Sequence, residues 1–192
     1  GGPGSNEISA RYTPNPRSEN NRGYLVVKVN NRGTGNRGKA FLGAAYLRLG
    51  DIDIQDHADA IRMLRNRPYV DGSRVGIVGF SYGGYMSAMG ILKHPDVYTA
   101  AVNGSGVTDW RHYDTIYTER YMSTPQLNPD GYDIGRATRE DYVKNFKDAG
   151  GHLLIMHGMV DDNVHPNNAF QLIDALDKGG APYESRFFPN NG

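Results

Sequence analysis

Residues 75–90 read VGIVGFSYGGYMSAMG, and this stretch limits the fold more than any other. Residues 75–78 are a short apolar run of the kind a fully buried parallel strand presents. The run leads into Gly79-Phe80-Ser81-Tyr82-Gly83, a G-x-S-x-G, and Tyr85, Met86, Ala88 and Met89 behind it suit a helix. Strand, glycine-flanked serine and helix, in that order, are the context of a nucleophile elbow. Such a turn is expected to be so tight that side chains two residues before and two after the serine would meet neighbouring backbone, hence glycine at 79 and 83. It would hold the Ser81 hydroxyl up at the end of a sheet, with a helix N-terminus aimed at it. The plainer alternative is a Gly-Ser turn joining a core strand to a helix.

With 192 residues the chain is one domain or most of one, long enough for a sizeable core. Its 21 basic and 21 acidic side chains cancel, so nothing favours nucleic acid or an anionic membrane as partner. No apolar run is long enough to cross a bilayer, and there is no signal peptide. The chain opens on Gly1-Gly2-Pro3-Gly4 without methionine and stops at Asn190-Asn191-Gly192 after a strand-like segment. It therefore reads as a piece of a longer protein, truncated at both ends, and the missing leader says nothing about compartment. The absence of cysteine excludes disulfides, thiolate metal sites and a cysteine nucleophile. No metal or cofactor is expected.

Around the elbow the chain alternates strands and helices. Residues 11–22 (RYTPNPRSENNR) are polar and twice broken by proline, an exposed loop by composition. Residues 24–29 alternate like a strand. The glycine-punctuated loop 31–38 (NRGTGNRG) lacks both a following Lys-Ser/Thr and a G-x-G-x-x-G spacing, so a nucleotide site is not expected there. Residues 54–65 form an amphipathic helix, with Asp51, Asp53 and Asp56 at its start and Arg62, Arg65 and Arg67 at its end, matching the helix dipole. Residues 99–103 are a strand, 110–122 (WRHYDTIYTERYM) an aromatic-rich helical stretch, 128–135 a turn region, and 140–146 a short helix. A strand over 152–157, a helix from Pro166 to the Gly179-Gly180 cap, and a strand over 184–188 complete the pattern. The fold class is α/β: a mostly parallel sheet with helices on both faces.

A serine hydroxyl needs a base within hydrogen-bond reach, itself oriented by a carboxylate. On a sheet of this kind the chain order is Ser, then Asp or Glu, then His. Asp161 follows a strand and a glycine about 80 residues after Ser81, where that acid belongs, although spacing alone allows Asp162 equally. His94, His112 and His157 precede Asp161, and His165 is only four residues beyond it. The base should lie one helix and one strand later, which places it past Gly192. By itself the chain is not expected to hydrolyse anything efficiently.

Taken together, several segments resemble the prolyl oligopeptidase family, closest to its dipeptidyl peptidase IV branch, bacterial members included. They are Gly1-Gly2-Pro3-Gly4-Ser5, Asn31-Arg32-Gly33-Thr34-Gly35, the elbow through Tyr85, Trp110 with Tyr113-Asp114, residues 117–122 (YTERYM), His157-Gly158 and residues 161–165 (DDNVH). Phe80 departs from the family's usual tryptophan, and residues 11–22 look less helical than their counterpart. The resemblance implies an α/β-hydrolase fold with Ser81 as nucleophile, Asp161 as the triad acid and the Tyr82 backbone N–H as one oxyanion donor. It implies that Tyr82, Val107, Trp110, Tyr113, Tyr117 and Val164 form the pocket for a penultimate proline, that Tyr121 stays in the core, and that Asn163 contacts a substrate carbonyl. A flat aromatic box suits a pyrrolidine ring, which has no N–H to satisfy. The implied activity is release of N-terminal dipeptides with proline or alanine in the second position, from peptide substrates. An upstream β-propeller, dimerisation through the hydrolase domain and a periplasmic or secreted location are further family expectations. The alternatives are an oligopeptidase or acylaminoacyl-peptidase with another entrance filter, and an inactive hydrolase-fold binding protein.

Overall fold

The computed structural model describes residues 2–6, 8 and 23–192, so the polar stretch 11–22 lies outside the described residues. Four strands, β1 (Gly76–Phe80), β2 (Ala100–Gly104), β3 (His152–Gly158) and β4 (Glu184–Phe188), form one sheet in the order β1-β2-β3-β4. Every pairing is parallel, and the register sets Phe80 level with Gly104 and Gly104 level with Met156. Parallel neighbours need crossovers, and helices supply them. Helix α1 (Lys39–Gly43) and α2 (Ile52–Leu64) precede β1, and α3 (Tyr82–Lys93) joins β1 to β2. Between β2 and β3 run α4 (Thr115–Met122), α5 (Pro129–Ile134) and α6 (Glu140–Ala149), and α7 (Asn167–Gly179) joins β3 to β4.

The core is built around α3, whose residues from Gly84 to Leu92 are all buried. It crosses β1 and β2 and touches α2 and α6, while α6 touches α7 and α7 lies on β3. Gly90 makes the close approach possible: a Cβ there would sit 3.2 to 3.4 Å from Ile77, Tyr98 and Ile54. The parallel α/β sheet is as expected. Val78 and Phe80, which share one face of β1, are 68% and 64% exposed, so β1 is half-buried rather than fully buried.

Other differences have local causes. Residues 24–29 alternate but belong to none of the four strands, and Tyr24, Leu25 and Val27 are exposed. The 110–122 stretch is a 3-10 turn, Trp110–His112, followed by α4. Asp114 breaks it by turning extended and accepting from the Tyr117 amide at 2.8 Å as the α4 N-cap. The 128–135 segment is helical, not a turn: Asn128 caps α5 by accepting from the Gly131 amide, and Pro129 takes the first helical position. Gly180 closes α7 at φ 63°. Among the described residues no helix is long and apolar enough to cross a membrane.

Candidate active site

The elbow forms where β1 runs directly into α3. Ser81 sits between them at φ 56°, a left-handed conformation that a serine adopts only when its surroundings dictate it. Two backbone bonds dictate it here. The Ser81 amide donates to the Gly104 carbonyl at the end of β2 (2.9 Å), and the Ser81 carbonyl accepts from the Tyr85 amide inside α3 (3.0 Å). A Cβ at Gly79 would lie 2.4 Å from the Gly83 backbone, so glycine is obligatory at 79. The expected collision at Gly83 does not occur, because a Cβ there would enter open space. The second tight glycine is Gly84, whose Cβ would meet the Gly104 carbonyl at 2.5 Å. The Ser81 side chain is exposed and does not cap α3, and the first amides of that helix, beginning with Tyr82 N–H, are directed to the same place.

Asp161 lies on the loop after β3, at the same carboxyl edge of the sheet as Ser81. With β2 between β1 and β3, the two loops start about 10 Å apart, near the span of a side chain that touches both. Asp161 Oδ1 accepts from the amides of Asn163 (3.0 Å) and Val164 (2.9 Å). Its Oδ2 stands 3.6 Å from His157 Nε2, and the side chain is only 10% exposed. Asp162 is exposed, so the surroundings separate two carboxylates that spacing does not. The buried His157 donates from Nε2 to the Val164 carbonyl at 2.7 Å, closing the loop that carries Asp161. The chain beyond β4 returns to this loop: the Val160 amide donates to Asn191 O (3.1 Å), and a Cβ on Gly192 would be 3.6 Å from Asp161 Cα. His165 is exposed, its Nδ1 accepting from the Asn167 amide, and no imidazole among the described residues hydrogen-bonds Ser81.

A pocket of about 220 Å³ opens beside the serine, lined by Gly2, Ser81, Tyr82, Val107, Trp110, Tyr113 and Tyr117. Trp110 and Tyr117 stack with ring centroids 5.8 Å apart, Tyr113 stands edge-on to both, and Tyr82 leans on Trp110 at 5.7 Å. Burial pushes the Tyr82 and Tyr117 phenols well above their ordinary range, so these walls carry no charge near neutral pH. Tyr121 supports Tyr117 from behind at 4.9 Å and does not line the pocket. Tyr113 donates its hydroxyl to Asn163 Oδ1 (2.8 Å), which brings Asn163 to the rim with its amide N–H₂ still available. Val164 is buried beside Asp161 and is not among the lining residues.

The sequence reading missed two contributors. Gly2 touches the pocket closely enough that a Cβ would lie 2.5 Å from the Tyr117 hydroxyl. Asp53, read as a helix-dipole acid, is instead buried and accepts the Tyr82 hydroxyl at 2.6 Å. An aspartate between Ile52 and Ile54 was the one available sign, since an apolar flank on both sides points a helix position inward.

Dipeptidyl peptidase 8 of Homo sapiens is 39% identical over 168 residues, 87% of this chain and 18% of that protein. A probable dipeptidyl-aminopeptidase B of Paracoccidioides lutzii is 39% identical over 195 residues, 100% of this chain and 21% of that protein. The crystal structure of Porphyromonas gingivalis dipeptidyl peptidase 4 superposes with a TM-score of 0.89 at 36% identity, covering 97% of this chain and 26% of that one. This chain thus spans about a fifth to a quarter of the length of these relatives. The sequence profile of the prolyl oligopeptidase family, peptidase family S9, matches residues 11–192. With that match covering nearly all of a chain whose serine elbow and parallel sheet are already in view, the chain belongs to the prolyl oligopeptidase family.

Proposed function

We propose that residues 1–192 form most of the hydrolase domain of a serine-type dipeptidyl peptidase that removes N-terminal dipeptides with proline or alanine in the second position. The observation that carries this reading is the uncharged aromatic pocket of about 220 Å³ directly beside an exposed, strained Ser81. Such a box takes a pyrrolidine ring by burying apolar area and leaves no hydrogen-bond donor unmatched.

In the proposed reaction Ser81 Oγ attacks the carbonyl carbon after proline, and its proton passes to an imidazole held by Asp161. That histidine is assigned to the full-length protein beyond Gly192, because a Cβ on Gly192 would lie 3.6 Å from Asp161 Cα. The tetrahedral oxyanion is bound by the Tyr82 N–H, the C–N bond breaks as the imidazolium returns the proton to the leaving amine, and water then hydrolyses the ester on Ser81. Asn163 donates to the substrate carbonyl one residue further toward the N-terminus. The 192 residues alone are accordingly expected to turn over poorly. Selection of a free N-terminus is assigned to a domain upstream of Gly1.

The test is turnover of Gly-Pro and Ala-Pro amides by the full-length protein and by its Ser81→Ala variant. Loss of turnover by about 10⁴-fold or more in the variant supports the reading. Equal turnover by the two proteins refutes it, and preference for a blocked over a free N-terminus on one substrate would point instead to an acylaminoacyl-peptidase.

A further inference from the structure

The Tyr82 ring is a partition between two spaces of very different size. In front of it lies the pocket of about 220 Å³. Behind it, toward α2, is a void of only about 10 Å³, lined by Asp53 and Tyr82 together with Gly2, Asn31, Gly33 and Thr34. The smaller space holds one water at most. The rear side therefore has no room for the ring, whereas the front side adjoins the larger space.

Beside its packing on Trp110 and Tyr85, the ring has one polar anchor among the described residues. The Tyr82 hydroxyl donates to Asp53 Oδ2 at 2.6 Å, while Asp53 Oδ1 accepts from the Ile54 amide at 3.0 Å. Asp53 is 1% exposed, and a buried carboxyl persists only where its oxygens are hydrogen-bonded. Neighbouring Tyr85 does not share this anchor: its hydroxyl donates toward the Leu49 and Gly135 carbonyls. Without the Asp53 acceptor the Tyr82 phenol would be buried with no partner, and the space open to it is the substrate pocket.

We infer that Asp53 is a positioning residue that pins Tyr82 as the rear wall of the pocket and so sets the fit for the penultimate side chain. The inference rests on the peptidase reading above and deepens it. Asp53 touches no substrate. Its effect is transmitted through the Tyr82 ring, and the backbone N–H of Tyr82 stays fixed by the elbow. Loss of the anchor should therefore act mainly on substrate fit, as KM, and least on the chemical step.

The experiment compares Asp53→Ala, Asp53→Asn, Tyr82→Phe and the Asp53→Ala/Tyr82→Phe double variant in the full-length protein. Ala-Pro and Ala-Ala amides with the same leaving group are the substrates, and active sites are counted by fluorophosphonate labelling of Ser81. Asp53→Ala and Tyr82→Phe should each raise KM for the Ala-Pro amide roughly tenfold, the scale of one buried hydrogen bond, with kcat changed less. The Pro-to-Ala preference should fall, and the double variant should be no worse than the worse single one. Asp53→Asn keeps one of the two acceptors and should fall between wild type and Asp53→Ala. The inference is overturned if the labelled sites of Asp53→Ala keep wild-type KM and preference, or if the two losses multiply. Should Asp53→Ala not fold, unchanged KM in both Asp53→Asn and Tyr82→Phe overturns it equally. Wild-type protein that neither turns over nor labels would sink the peptidase reading itself, a result distinct from these.

Discussion

Asp161 gives one carboxylate oxygen to the amides of Asn163 and Val164 and holds the other beside His157, whereas Asp162 stands in solvent. A carboxylate fixed by two amides is pre-aimed, and its neighbour is not. Asp161→Asn should therefore lower kcat by about 10⁴-fold, the scale on which an imidazole loses its orienting carboxylate, and Asp162→Asn should leave kcat within a few-fold. Steady-state rates on an Ala-Pro amide decide it, and equal losses would reject the assignment. The two elbow glycines differ in the same way. Gly79→Ala forces a Cβ to 2.4 Å from the Gly83 backbone and should destabilise the protein or prevent folding. Gly83→Ala meets nothing and replaces a helical glycine, so it should be neutral or raise stability by up to ~1 kcal/mol in urea unfolding.

Among the elements, α7 is tied to the aromatic segment between β2 and β3 through Asn168. Asn168, near the start of α7, is fully buried; its Oδ1 accepts from the Thr108 amide (3.0 Å) and its carbonyl from the Thr108 hydroxyl (2.7 Å). Its Nδ2 donates to the carbonyls of His112 and His165. One side chain thus ties the Val107–Trp110 wall, the 3-10 turn and the Asp161 loop's far end together. Asn168→Leu keeps the volume but takes the side-chain partner from the buried Thr108 amide and the His112 carbonyl, so it should cost about 3 kcal/mol of unfolding free energy and weaken proline selectivity. Unchanged stability in urea would contradict this account. The break at Asp114 belongs to the same level: residues 110–122 carry one aromatic spacing, yet Tyr113 reaches Tyr117 across a cap and not along a continuous helix.

At the scale of the molecule, the order β1-β2-β3-β4 brings Ser81 and Asp161 to one edge although about 80 residues separate them. The same packing buries Asp53, and burial, the dominant effect, raises its carboxyl above the ordinary range despite the bonds from Tyr82 and backbone. A raised acid holds its proton longer in the folded than in the unfolded state, so its stabilising contribution is complete below about pH 4 and is lost as pH rises through the folded value. The stability of wild type relative to Asp53→Asn should therefore fall as pH increases from about 4, read from urea midpoints across the range in which both fold. A difference that is constant or grows with pH would reject the assignment.

Much of this was legible in the chain. Gly-x-Ser-x-Gly between an apolar run and a helix, the Asp161 spacing, the 3.6-residue period of α7 and the glycine that ends it are all local patterns. Their physics acts between residues close in sequence, so the sequence alone determined them. What neighbours across the fold do was not legible: that residues 24–29 alternate yet join no described strand, that Val78 and Phe80 face outward, and that Asp161 rather than Asp162 is held. Asp53 shows why most clearly. At the start of a helix an aspartate already has a sufficient local reason to be there, in the dipole. Only the packing of α2 against α3 supplied the second one, by taking its carboxyl out of water and setting the Tyr82 hydroxyl against it.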